Sequence, residues 1–196
     1  MSEVVRSSKS RELAEKALEK KAALGEDIDL AKYSSAAEEH SYREKPSELA
    51  AEDKAQFMKV GMTLDDASQR SGTFLQMDRS VVHSSASQEG VEVLAIKKAL
   101  EKYDWLQDYW WRAVSVDQDK FTAQAEIDLQ NGYFIRALPR AKVVYPVQAC
   151  LYIAHKNLAQ KVHNIIIAEE GSELHIITGC APHPMKASGR HLGGSD

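Results

Sequence analysis

Apolar and polar positions follow two different patterns along this chain. Over the first 115 residues they read as helix and loop. Arg11 to Leu24 is rich in Ala, Leu, Glu and Lys, with Leu13, Ala17 and Leu24 along one side, and Gly25 supplies a stop. A second helix is predicted over Glu48 to Lys59, started by Pro46 and Ser47 and ended by Gly61. Ile96, Leu100, Tyr103, Leu106 and Trp110 recur at helical spacing opposite Lys97, Glu101, Lys102 and Asp108, which predicts an amphipathic helix ending in Tyr109-Trp110-Trp111. Those aromatics suit either a partner surface or packing on the protein's own core, and packing is the commoner use.

After Gly132 the pattern changes to short apolar runs between small polar breaks. Tyr133 to Leu138, Val143 to Tyr145, Ala149 to Ile153, Val162 to Ala168 and Leu174 to Thr178 are predicted strands, rich in Ile, Val and Tyr. The breaks are too short for crossover helices, which leaves an antiparallel meander or a β-solenoid. Ile153, Ile165 and Ile177 lie twelve residues apart, as do Leu151, His163 and His175. A fixed short period is the signature of stacked rungs and favours the solenoid. The expected organisation is therefore α+β, with a helical region over 1–115 and the start of a β-solenoid over 116–196.

Composition narrows the function classes. The 196 residues carry 25 basic and 29 acidic side chains, a net charge of -4, interleaved without a basic patch, so nucleic acid is not an expected partner. No apolar run approaches the roughly 20 residues that span a bilayer, and the polar start has no apolar signal region, so the cytoplasm is the expected compartment and no membrane is involved. Glycine-rich phosphate loops and Gly-x-Ser-x-Gly are absent, so any ATP hydrolysis would come from a partner.

Candidate chemistry gathers late in the chain. Both cysteines, Cys150 and Cys180, and five of the seven histidines, His155, His163, His175, His183 and His191, follow residue 120. Cys180 and His183 have a workable metal spacing, but there is no Cys-x-x-Cys and no second close pair, so a dedicated zinc site using Cys180, His183 and His191 ranks low. If the strand from Leu174 continues through Gly179, then Leu174, Ile176, Thr178 and Cys180 share one face. Cys180 then points inward at a strand end, with small neighbours and with Pro182 limiting the ladder. Such a thiol is either an inert small hydrophobe or a nucleophile activated by a nearby cation. Cys150 has no evident activating neighbour.

The run Ser71-Gly-Thr-Phe-Leu-Gln-Met-Asp-Arg79, then Gln88-Glu-Gly-Val-Glu-Val-Leu94, the Tyr103-Asp-Trp helix and Val162-His-Asn-Ile-Ile-Ile-Ala-Glu-Glu-Gly171 resemble the SufB/SufD family of the SUF iron-sulfur cluster assembly system, in its short prokaryotic and archaeal form. The similarity covers about residues 60 to 192. It implies a right-handed parallel β-helix flanked by helical regions. It also implies that Gly179-Cys180-Ala181-Pro182 corresponds, one residue shorter, to the motif whose cysteine receives sulfur from a donor protein. His191, eleven residues on, would then line the path within the β-helix. Family members continue well beyond this length, to further rungs and a helical region that binds the SufC ATPase, so the chain reads as C-terminally incomplete.

The resemblance thus implies a non-enzymatic scaffold-type subunit in iron-sulfur cluster assembly, with Cys180 as sulfur acceptor. Its partners would be a SufC-type ATPase, a SufB/SufD-type chain and a sulfur donor, and the cluster would be transient and formed only in a complete complex. The alternative from another class is a non-catalytic fragment that pairs with a full-length SufB/SufD relative, and a small zinc-binding β-protein ranks third.

Overall fold

A computed structural model describes residues 8–66, 68–182 and 190–195. Helix α1 (Ser8–Ala17) leads into a long irregular arm, which ends in a short 3-10 turn at Pro46–Glu48 and helix α2 (Ala51–Lys59). Three strands follow, β1 (Gly72–Met77), β2 (Ser80–Ala86) and β3 (Val91–Ala95), then α3 (Ile96–Lys102), a 3-10 turn at Asp104–Tyr109 and α4 (Lys120–Ile127). Strands β4 (Tyr133–Ala137), β5 (Val147–Ile153), β6 (Ala159–Ala168), β7 (Ile176–Pro182) and β8 (Arg190–Ser195) complete the order.

The strands form two four-stranded sheets, β2-β1-β5-β7 and β3-β4-β6-β8. Successive strands from β4 onward alternate between the sheets. Alternation along each strand builds three apolar layers. Between the sheets lie Phe74, Val93, Tyr133, Ile135, Val147, Leu151 and Val162. Outside the second sheet, Phe134 and Ile165 pack beneath Ile96, Leu106, Trp110 and Ala123 of the helical cover. Outside the first, Leu75, Cys150, Tyr152 and Ala181 pack against Phe57, Leu49 and Met62. Helix α4 starts with a capping box, in which the Asp119 carboxylate accepts from Thr122 N–H and the Thr122 hydroxyl accepts from Asp119 N–H.

The expected right-handed parallel β-helix is not what the chain forms. Both sheets are mixed and neither closes: β1 runs antiparallel to β2 and β3 antiparallel to β4, while β1–β5, β5–β7, β4–β6 and β6–β8 are parallel. The twelve-residue period does not mark stacked neighbours. Val147 pairs with Ile176 and Phe134 with Ile165, offsets of 29 and 31 residues, because the chain visits the other sheet before returning. Residues twelve apart, such as Ile153 and Ile165, sit in different sheets.

The stretch read as helix and loop up to residue 115 contains β1 to β3, which pair with strands from the second half, so residues on both sides of 115 build both sheets. Asp78, at a φ of 49, turns β1 directly into β2. The amphipathic stripe from Ile96 to Trp110 packs as expected, with Ile96, Leu100, Leu106 and Trp110 all buried, but it is not one regular helix. Tyr103 leaves helical geometry, and its hydroxyl donates to Glu92. Val143 to Tyr145 is not a strand, and Val144 is exposed.

Candidate functional site around Cys180

Cys180 lies on β7, the outer strand of its sheet among the described residues. In a parallel pair, register partners point to the same side, so each face can be followed across the sheet. The row Gln76–Leu151–Cys180 faces the layer between the sheets, because Leu151 belongs to that layer. The next row, Met77–Tyr152–Ala181, faces outward, where Ala181 is buried with Phe57 and Met62. The sequence expectation that Cys180 points inward with Ile176 therefore matches the register. With no further strand beyond β7 among the described residues, the thiol is also exposed.

Cys150 differs in every respect. It is fully buried on the outward face, level with Leu75 and Gly179, and burial pushes its thiol far up. Since Cys150 and Cys180 occupy opposite faces of adjacent strands, their Cβ vectors diverge, and both are free thiols.

Partial burial also pushes the Cys180 thiol above its ordinary value, and no cation among the described residues acts against that shift. The anticipated cationic activation is therefore not supplied by these residues. Tyr133, across the layer on β4, does sense Cys180. Its phenol is raised to about 12, first by burial and then by the charge Cys180 would carry. Nothing in the sequence singled out Tyr133 for this position. Its only signal was the period-two pattern with Ile135 and Ala137 that turns it inward.

The histidines do not converge. His155 lies in the turn after β5 and His175 just ahead of β7, both exposed, while His163 is fully buried on the outer face of β6 against the rings of Trp110 and Trp111, at centroid distances of 4.3 and 4.0 Å. His183 lies outside the described residues. His191 is on β8 at the register position of Gln160. Among the described residues no three Cys, His, Asp or Glu side chains gather as a metal-holding group.

Two polar centres went unread in the sequence. Trp110 and Trp111, both nearly buried, donate their indole N–H groups to the buried Glu126 at 3.0 and 2.7 Å, and only Tyr109 of that aromatic run is exposed. At the β1–β2 turn, Asp78 Oδ1 accepts from the backbone N–H groups of Ala154 and His155, and its Oδ2 lies 2.9 Å from His40 Nε2 on the arm. No helix among the described residues is long and apolar enough to cross a membrane.

No family model matches the chain. Among curated proteins it is 45% identical over 189 residues to an iron-sulfur cluster assembly SufBD family protein of Methanothermobacter thermautotrophicus, covering 93% of this chain and 46% of that protein. It is 54% identical over 144 residues to a protein of the same description from Archaeoglobus fulgidus, covering 74% and 38%. A SufBD family protein of Pyrococcus horikoshii is 29% identical over 126 residues, covering 62% and 28%. The chain spans less than half the length of these relatives.

Proposed function

This chain belongs to the SufBD family of iron-sulfur cluster assembly proteins, and we propose on that footing that it serves in cluster assembly as a scaffold-type component with Cys180 as the residue that accepts sulfur. The observation that carries this reading is the double character of Cys180: it faces the apolar layer between the sheets and is yet exposed on the outer strand. A donor protein can reach such a thiol, and the product lies beside residues that shield it from water. Cys150, sealed on the other face, offers no such access.

The proposed step is a sulfane transfer. The Cys180 sulfur attacks the terminal sulfur of a donor cysteine persulfide, a new S–S bond forms on Cys180, and the donor's own S–S bond breaks. The donor leaves as a thiolate and takes up the proton released by Cys180, so the exchange involves no net oxidation. Because burial keeps the Cys180 thiol protonated near neutral pH, the transfer accelerates as pH rises. His191, at the position of Gln160 in the β8 register, is proposed to stabilise anionic sulfur beyond Cys180. The iron-sulfur cluster is cargo in this scheme, completed with a SufB/SufD-type partner, while a separate SufC-type subunit hydrolyses ATP.

A second reading, a chain that pairs edge to edge with a longer relative without chemistry of its own, is favoured by the exposure of Ile177 on the outer strand β7 and by the raised Cys180 thiol. The readings separate in a complex reconstituted with a SufB/SufD-type partner, a SufC-type ATPase and a cysteine desulfurase as donor. Cys180→Ser abolishes sulfur uptake by this chain under the first and leaves both uptake and complex formation unchanged under the second.

A further inference from the structure

Residues 18–48 cross the surface without one buried residue among them, yet the stretch from Ser34 to Arg43 is fastened at defined points. The Ser34 N–H donates to the Asn157 carbonyl at 2.7 Å, and the Ser34 carbonyl accepts from Ala159 N–H at 2.8 Å. Lys161 Nζ donates to the Ser35 hydroxyl and Arg79 to the Ser35 carbonyl, both at 2.6 Å. The His40 N–H donates to the Ser80 hydroxyl, and the Arg43 N–H to the Val82 carbonyl of β2, an outer strand of its sheet among the described residues. The remaining fastening is His40 Nε2 on Asp78 Oδ2. Asp78 itself belongs to the sheets. Its carbonyl accepts from the side-chain amides of Gln76 and Gln160 at 2.9 and 2.6 Å, its N–H donates to the Tyr152 carbonyl, and its Oδ1 holds Ala154 and His155.

We infer that Ser34 to Arg43 is a strap that opens as a unit while the two sheets stay folded, with His40 and Asp78 as its latch. A segment attached by polar contacts, with no buried side chain of its own, opens at lower free energy than the strands it crosses. Opening leaves the Val82 carbonyl on β2 and the Ala159 N–H on β6 unpaired, and an unpaired strand edge accepts an extended segment of another chain. The closed strap guards that edge. The latch also makes closure depend on pH. The charges acting on His40 are Asp78 on the β1–β2 turn, Asp53 on α2 and Glu38 on the arm, and all of them favour the imidazolium. His155 and Lys156 of the β5–β6 turn are exposed. His83 meets the Arg43 carbonyl through Nδ1 and the Ser85 hydroxyl through Nε2, a pair that a neutral imidazole satisfies by donating from one nitrogen and accepting at the other. The strap is therefore held most firmly when His40 is charged and loosens as pH rises through its folded value.

Amide hydrogen exchange resolved by NMR on the 196-residue chain, corrected for the intrinsic effect of pH on exchange, tests the strap without any sulfur donor. The amides of Ser34, Arg43 and Ala159 are the reporters, because each bonds across the strap contact. They are expected to share one opening, populated at least about a hundredfold more than the opening of amides in β1 and β5. That opening should grow about tenfold from below the ordinary histidine value to above the folded one in the parent chain, and stay level with pH in His40→Gln. Three amides that open separately, or that exchange as slowly as β5, overturn the strap on the parent chain alone. A pH dependence that persists in His40→Gln overturns the latch. Sulfur acceptance by Cys180 is decided separately by Cys180→Ser, so the two ideas can fail independently.

Discussion

His40 and Asp78 join the N-terminal arm to the β1–β2 turn through a 2.9 Å contact between His40 Nε2 and Asp78 Oδ2, with the Asp78 side chain only 2% exposed. The hydrogen bond to Asp78 raises His40 above the usual histidine value against the opposing effect of burial, with Asp53 and Glu38 adding to it. Burial alone would raise Asp78, but His40 and the N–H groups of His155 and Ala154 outweigh it and hold the carboxyl low. A raised His40 contributes stability that is full below the ordinary histidine value and is lost as pH rises through its folded value. A lowered Asp78 contributes stability that is present above the ordinary aspartate value and is lost in acid. Thermal and urea melts of the parent and His40→Gln should therefore differ by about 1 kcal/mol below the ordinary histidine value and converge as pH rises past the folded one. A difference that does not vary with pH contradicts this assignment.

Asp78 has a larger role than its partner. Asp78→Ala leaves two part-buried N–H groups and His40 without their acceptor, for a loss of about 2 kcal/mol in urea unfolding. Asp78→Asn keeps an acceptor oxygen and suits the left-handed backbone at this position, and should recover more than half of that loss.

Gly132 is fixed by the sheet it enters. At a φ of 138 its α-carbon passes the β6 backbone so closely that a Cβ would land on the His163 carbonyl, and its own carbonyl accepts from Ile96 N–H. Gly132→Ala should lower unfolding free energy by about 3 kcal/mol, as strain and displaced pairing add together. Gly25→Ala, at a φ of 75 with nothing within 4 Å, should cost only about 1 kcal/mol.

Glu126 of α4 ties the parts of the helical cover to one another by accepting from two indoles and from the Ser10 hydroxyl of α1 at 3.0 Å. Glu126→Ala strands two buried donors and should cost about 3 kcal/mol, with the tryptophan fluorescence maximum moving as the indole surroundings change. Glu126→Gln, which retains one acceptor oxygen, should cost less than half as much.

Much of the second half was legible because its strands announce themselves through Val, Ile and Tyr. Tyr133 to Ala137, Ala149 to Ile153 and Val162 to Ala168 all appear as strands, within ends that extend by a few residues. The inward phase of Cys180 was legible for the same reason, since alternation from Leu174 determines it. Strands β1 to β3 were missed although Val91-Glu-Val-Leu alternates and Asp78-Arg79 separates two apolar runs, because buried Gln76, Thr73 and His83 make those runs look polar. The two-sheet arrangement was not legible at all. A twelve-residue spacing records the length of a strand plus a turn, which two alternating sheets and a stack of short rungs produce alike.

The central claim is that Cys180 and not Cys150 takes up sulfur. Incubating the 196-residue chain with a persulfide-charged cysteine desulfurase, then trapping and mapping persulfides by tandem mass spectrometry, tests it most directly. The account predicts one added sulfur on the Cys180 peptide, none on the Cys150 peptide, and none on either in Cys180→Ser. Sulfur found on Cys150, or no sulfur on Cys180 while the donor remains charged, would contradict it.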